Sequence, residues 1–185
     1  KTILQITNNL NNALQECKSN LSETISHIQK INDYVSIDKT IIASLQDDNQ
    51  DVINQIKTIN NLKSEYGKLF NIFLKDNLTG SSLSFFVDQS MPMGKNVSDC
   101  TKVENFAANS LNFYNDTGLA DEEWYQATIE KKDGMHFFRK GENNSIVFFA
   151  QLIKNNLKYG DENLGVNVIG IDLKQVLSSF KNISN

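Results

Sequence analysis

The chain has 185 residues, of which 39% are hydrophobic, and it carries 18 lysines and arginines against 22 aspartates and glutamates. This length suits one domain, or one domain with an extension, and it can bury a sizeable core. The net charge is -4 and no run of lysines alternates with aromatic residues, so we expect no nucleic-acid partner.

The sequence contains no apolar stretch of the roughly 18–20 residues that a membrane span needs, and its start has no signal-peptide pattern. The chain begins at Lys1, and helical patterns reach both of its ends. We therefore interpret it as a piece of a longer protein whose membrane anchor lies outside this sequence.

A long amphipathic helix is predicted at the start of the chain. Apolar residues recur there in alternating steps of three and four, and only Thr7 and Thr24 interrupt the series. Without proline or glycine, this stretch should form one helix about 50 Å long, which overhangs a small domain. Its stripe suits packing on the chain's own domain as well as on a partner helix, and we expect it to form a homodimer in the full-length protein. The stripe consists of Ile3, Leu10, Leu14, Cys17, Leu21, Ile28, Ile31 and Val35.

A second helix is predicted from Asp47 to Tyr66, since aspartates occupy its first turns and lysines follow, as the helix dipole favours. Gly67 is a suitable residue to end it. Beyond that glycine the pattern becomes typical of strands, and residues 69–75 and 82–88 are predicted to form a hairpin.

The second half of the chain is predicted to contain mainly strands. Residues 89–102 indicate a surface loop, and 103–114 allow a short helix. The acids Asp121, Glu122 and Glu123 should cap a helix that runs to about Lys131. The remaining elements are strands at 135–140, 144–154 and 163–172, with turns at 141–143 and 159–161, and an exit helix from residue 173 capped by Asp172.

This order of elements predicts an α+β fold, with a long N-terminal helix and a sheet of about five antiparallel strands flanked by helices. We divide the chain into a helical segment at 1–66, a sheet domain at 67–172 and an exit helix at 173–185. The sequence shows no internal repeat.

Groups that could perform catalysis are scarce. His27 lies on the first helix and His136 in a strand, and neither stands in a nucleophile motif. There is no glycine-rich phosphate loop, two-histidine metal motif or EF-hand pattern. We therefore expect no catalysis by this chain, no metal and no cofactor. Cys17 and Cys100 are either two free thiols or one bridge between the first helix and a loop.

The rarest side chains gather in residues 121–141, which contain the only tryptophan and the only arginine. Trp124 and Tyr125 are adjacent on a helix and point about 100° apart, so one should pack under the sheet while the other borders a pocket. Strand alternation places Phe137 on the same side as Arg139. From there Arg139 could bind a ligand carboxylate or stack on the tryptophan, or else extend into water. The candidate ligand-binding residues are Trp124, Tyr125, Arg139, Phe137, Tyr114 and Phe148.

The order of these elements resembles that of a Cache domain, the PAS-like extracytoplasmic sensor module of bacterial histidine kinases and chemotaxis receptors. The resemblance covers residues 1–185 and includes the predicted hairpin NIFLKDNLTGSSLSFFV. Its most specific parts are the Trp124-Tyr125 pair that opens a helix and the segment Gly165–Leu173, where a hydrophobic strand ends in aspartate and becomes a helix.

The resemblance implies a ligand pocket on one face of the sheet. In the amino-acid-binding branch of the family an arginine stands two residues before the tryptophan, but here that position is Glu122. This departure argues against amino-acid binding in the family's usual way, unless Arg139 replaces the missing arginine. The ligand expected is then a sugar or a carboxylate. We expect Trp124→Ala to abolish the thermal shift that this ligand causes while leaving the fold intact.

The function implied is that of an extracytoplasmic signal-sensing domain in a membrane-anchored receptor, with a two-component sensor histidine kinase as the first expectation. Ligand closure at the sheet would shift one terminal helix against the other and so transmit the signal. The alternatives are the ligand-binding domain of a methyl-accepting chemotaxis receptor and a coiled-coil binding or assembly module of a surface protein.

Overall fold

A five-stranded sheet lies between helices on its two faces, which confirms the predicted α+β class. The structure is a computed structural model that describes residues 2–48, 51–73, 82–99, 110–140, 145–155 and 162–174. The helices are α1 (Thr2–Ile37), α2 (Lys39–Gln46), α3 (Val52–Phe73) and α4 (Glu123–Lys131), with one 3-10 turn at Gly94–Asn96. The strands are β1 (Ser82–Val87), β2 (Ser110–Asn115), β3 (His136–Phe138), β4 (Ile146–Asn155) and β5 (Glu162–Asp172).

The predicted long helix is confirmed as α1, which is continuous over 36 residues. Its C-terminal part packs on β4 and β5, where Ile28 and Val35 are fully buried. The same apolar stripe is exposed nearer the N-terminus, where Leu10 and Leu14 keep 59% and 67% of their surface in solvent. None of the helices in the described ranges combines the length and the apolar character that a membrane crossing demands.

The second helix begins later than predicted. Asp47 and Asp48 lie between α2 and α3 rather than in a first turn. Other aspartates cap the two helices: Asp38 Oδ1 accepts a bond of 2.6 Å from the Thr40 amide, and Asp51 Oδ1 accepts one of 2.8 Å from the Asn54 amide. Capping by the aspartate that stands just before each helix therefore determines where it starts.

The predicted strand at residues 69–75 is wrong over residues 69–73, because α3 continues through Gly67 to Phe73. A short apolar run does not by itself distinguish a strand from a helix, and an interior glycine weakens a helix by only about 0.5–1 kcal/mol. Residues 74 and 75 and the turn of the predicted hairpin lie outside the described residues. The described part of the first predicted strand is therefore helical.

The strand that pairs with β1 comes from residues 110–115, where the sequence predicted the end of a short helix. This strand, β2, runs parallel to β1, and Phe113 stacks on Phe85 with ring centroids 4.6 Å apart. The other pairs are antiparallel and the strand order is β2-β1-β5-β4-β3, so the sheet is mixed rather than fully antiparallel. Residues 100–109 lie outside the described part of the chain.

The three C-terminal strands are confirmed as β3, β4 and β5, but β3 has only three residues and pairs only with Phe148–Ala150. The predicted turns at 141–143 and 159–161 fall outside the described residues. After β5 the Asp172 carboxylate accepts a bond of 2.9 Å from the Lys174 amide, and residues 173–174 are helical. The rest of the predicted exit helix lies beyond the described ranges.

Each face of the sheet carries its own core, because adjacent strand residues point to opposite sides. The division at residues 66 and 172 remains a prediction, although α1, α2 and α3 share a core with the sheet. On this long-helix side the core includes Ile28, Ile31, Leu45, Leu62, Tyr66, Leu83, Phe85, Phe149 and Ile169. On the α4 side it includes Phe86, Trp124, Tyr125, Phe138, Phe148, Leu152, Val166 and Val168.

Candidate ligand-binding cleft

A cleft opens on the α4 side of the sheet, where the start of α4 passes β3 and the residues after it. Its volume is about 450 Å³, which is within the usual range for small-molecule sites. We call it the Trp124 cleft. Its lining residues are Glu122, Glu123, Trp124, Ala127, His136, Phe138, Arg139 and Lys140.

Trp124 forms the apolar wall of the cleft. Its indole is 5% exposed, stacks on Phe138 with ring centroids 4.6 Å apart, and meets Phe86 edge-on at 5.9 Å. The indole Nε1 is buried and has no hydrogen-bond partner among the described residues. Buried tryptophans normally satisfy this N–H, so Trp124 offers an unused donor beside the cleft.

Glu122, at the position where the resembled family has its arginine, forms an ion pair with Lys140 across the cleft. Both side chains are about one third exposed, at 32% and 31%. Glu122 is the N-cap residue of α4, but its side chain makes no capping bond, contrary to the prediction for the three acids. Lys140 therefore neutralises the charge of the anomalous glutamate.

Arg139 lines the same cleft and is exposed. It forms no ion pair with any other residue in the described ranges. The predicted grouping of Arg139 with Phe137 is wrong, because β3 ends at Phe138 and strand alternation ends with it. Arg139 instead joins His136 and Phe138 in the lining.

His136 adds a hydrogen-bonding group that is uncharged near pH 7. Its ring stacks on Phe138 at a centroid distance of 6.1 Å. Partial burial lowers the pKa of the imidazole below its ordinary value, and the nearby charge of Lys131 lowers this pKa further. The permanent positive charges of the cleft therefore belong to Arg139 and Lys140.

Tyr125 lies outside the cleft and ties α4 to two turns. Its hydroxyl donates a bond of 2.6 Å to Asp116 Oδ2, and Asp116 Oδ1 accepts a bond of 2.9 Å from the Gln89 amide. Burial raises the pKa of Tyr125 far above its ordinary value, and the bond to Asp116 adds to this effect. The structure thus gives Tyr125 a supporting position behind Trp124.

No family model and no curated protein matches this chain.

Within the described ranges, no three histidine, cysteine, aspartate or glutamate side chains are grouped so that they could hold a metal ion. Cys17 is a free thiol, and Cys100 lies outside those ranges.

The other predicted site residues surround the cleft without lining it. Phe137 is 57% exposed and lies on the opposite face of the sheet. Phe148 is buried beneath Phe138, with ring centroids 5.1 Å apart, and Tyr114 stacks on Phe86 at 5.9 Å. The structure thus brings Trp124 and Arg139 together in one lining and places Phe148 behind them.

Sequence reasoning missed two groups of lining residues. Strand alternation puts His136 and Phe138 together on the side opposite Phe137, but neither is among the ligand-binding residues predicted from the sequence. That alternation was the only signal that could have identified them. The pair of Glu122 and Lys140 joins residues 18 positions apart, and no local pattern marks it.

Proposed function

We propose that this chain is the extracytoplasmic signal-sensing domain of a membrane-anchored bacterial receptor, in the first place a two-component sensor histidine kinase, and that its Trp124 cleft binds a small molecule. One observation carries the proposal: Trp124, whose buried indole N–H has no partner among the described residues, lines a cleft together with Arg139, which forms no ion pair within those residues. The long helix packed on a five-stranded sheet fits the Cache resemblance and supports it.

A carboxylate is the ligand group that this lining favours. Glu122 and Lys140 neutralise each other, which leaves the guanidinium of Arg139 and the carboxylate of Glu123 as the other charges of the lining. Of these two groups only Arg139 can bind an anion. Arginine binds a carboxylate through two parallel hydrogen bonds, and the Trp124 N–H can supply a third donor. A sugar would use the indole and the ring of Phe138 but would not need Arg139.

Ligand binding can be tested by thermal shift and calorimetry with amino acids, dicarboxylates and neutral sugars as probes. For a carboxylate, Arg139→Ala should weaken binding by about 10–100-fold, since hydrogen bonds to charged groups contribute about 1.5–3 kcal/mol. Trp124→Phe keeps an aromatic ring and removes the N–H, and it should weaken binding by about 2–10-fold. Lys132→Ala removes an exposed cation outside the cleft and serves as the matched control.

If a sugar bound equally well to wild type and to Arg139→Ala, the proposed ligand would be a neutral sugar rather than a carboxylate. Failure of every probe to bind, or equal binding of one probe to all variants, would contradict the cleft assignment. A chemotaxis receptor would use the same cleft, and only the output domain of the parent protein separates it from a kinase.

We also propose that α1 pairs with α1 of a second copy in the full-length protein. The heptad stripe runs along α1 with interruptions only at Thr7 and Thr24, yet only its C-terminal part is covered by the chain's own sheet. Ile3, Leu10, Leu14 and Leu21 are exposed at 82%, 59%, 67% and 38%. Such a row at heptad spacing is the seam of a two-stranded coiled coil.

Cys17 allows a direct test of this pairing, because it lies in the stripe between Leu14 and Leu21. In a parallel pair the two Cys17 residues face each other, so mild oxidation should yield a disulfide-linked dimer on a non-reducing gel. The double variant Cys17→Ser with Ser19→Cys moves the thiol off the stripe and should cross-link much less. Equal cross-linking of both proteins, or a monomer at every concentration, would contradict the pairing.

The same exposed stripe favours the second candidate function, a coiled-coil binding or assembly module. Dimerisation without binding of any probe in the Trp124 cleft would support that function over the sensor.

A further inference from the structure

Four buried polar side chains form a cluster between α1 and the sheet, and we call it the amide cluster. Asn32 and Ser36 lie one turn apart on α1 and are 0% and 4% exposed. Gln151 of β4 and Asn167 of β5 face them, and these two residues are direct partners in the strand register. Both point to the long-helix side of the sheet, since their positions alternate with residues of the α4-side core.

The hydrogen bonds within the amide cluster are incomplete. Asn167 Nδ2 donates to Ser36 Oγ at 2.9 Å, and Gln151 Nε2 donates to Asp33 Oδ1 at 3.0 Å. Both polar atoms of the Asn32 side chain, Gln151 Oε1 and Asn167 Oδ1 are buried without a partner among the described residues. Buried amide groups left in this state are costly, and native proteins satisfy them with ordered water.

A second cleft reaches the edge of the amide cluster. It lies between the end of α1, the turn after α4 and β4, and its volume is about 290 Å³. Ser36 and Gln151 belong both to this α1–β4 cleft and to the amide cluster. Since one water occupies about 30 Å³ in the liquid, the cleft has room for several molecules.

We propose that the amide cluster is an internal hydration site filled from the α1–β4 cleft, and that it makes the C-terminal half of α1 the first part of this core to separate from the sheet. A dry apolar contact opposes opening because its surface must be exposed to water. A hydrated polar contact exchanges its hydrogen bonds with solvent at little cost. Local opening below the free energy of global unfolding is then expected for α1. This inference does not depend on the proposed function.

Hydrogen exchange of the whole chain, followed by mass spectrometry, tests the proposal. In wild type, the amides of residues 28–37 should exchange faster than those of residues 166–170 in β5. Asn32→Leu fills a similar volume without needing partners, and it should slow exchange of residues 28–37 by about tenfold or more. Asn12→Leu makes the same change at an exposed position of α1 and should leave their exchange unchanged.

Unchanged or faster exchange of residues 28–37 in Asn32→Leu would overturn the proposal. A high-resolution crystal structure of the wild-type chain provides a second test that does not depend on the variant folding. At least one ordered water should bridge Asn32 to Gln151 or Asn167. A dry amide cluster in that structure would also overturn it.

Discussion

Truncating Trp124 to alanine is expected to lower the free energy of unfolding by about 3–5 kcal/mol, the usual cost of removing a buried aromatic ring. The indole is 5% exposed and contacts Phe86, Tyr125 and Phe138 within the α4-side core. The burial of the indole argues against the expectation from sequence that Trp124→Ala would leave the fold intact. Since small domains are stable by about 5–15 kcal/mol, the loss is a large part of the total. Urea unfolding followed by far-UV circular dichroism measures it without relying on tryptophan fluorescence.

Trp124→Phe is the matched control, because a phenyl ring retains most of the stacking on Phe138. Its loss of stability should be well below that of Trp124→Ala. A cost of less than about 1 kcal/mol for the alanine variant would mean that the indole is not packed as described.

Replacing Gly165 by alanine should lower the free energy of unfolding by at least about 2 kcal/mol, since backbone strain and overpacking each cost about 1–3 kcal/mol. Gly165 has a φ of 142°, which side-chain-bearing residues rarely adopt. A Cβ atom there would lie 2.3 Å from the carbonyl oxygen of Phe86. Relief of this overlap would push β1 away from β5 in the middle of the sheet. The same urea titration measures the effect.

Gly67→Ala provides a control of opposite sign. Gly67 lies within α3, and a Cβ atom added there meets nothing within 4 Å. Alanine should therefore raise stability by about 0.5–1 kcal/mol. If Gly67→Ala and Gly165→Ala lowered stability to a similar degree, the close approach of β1 would not be the reason why residue 165 is glycine.

The sequence predicted the elements whose patterns are long and periodic. The heptad stripe predicted α1, and continuous apolar runs with few alternative interpretations predicted β4 and β5. The strand prediction for residues 69–73 failed because a short apolar run fits a strand and a helix equally well. The helix prediction failed at residues 110–115, which form β2. This strand pairs with β1 in parallel across an intervening segment, and local propensity carries no information about such a pairing.

The sequence predicted some residues of the candidate site and missed others that depend on long-range contacts. Trp124 and Arg139 attracted attention through their rarity, and the structure places both in one lining. Tyr125 was predicted from its place beside Trp124, and Phe137 from strand alternation. Tyr125 instead supports a turn, and Phe137 lies on the opposite face of the sheet. The role of Glu122 depended on Lys140, a partner that only the path of the chain around α4 and β3 brings near.

The shortness of β3 also affects how the chain behaves in concentrated solution. From Gln151 to Lys154 the outer edge of β4 pairs with no described strand, so the backbone groups of these residues could serve as a template for a strand of another chain. Lys154 lies on this edge, and its Nζ is 2.7 Å from Asp133 Oδ1. A foreign strand would have to displace that ion pair. Resistance to aggregation through this edge therefore depends on one lysine that lies far from the Trp124 cleft.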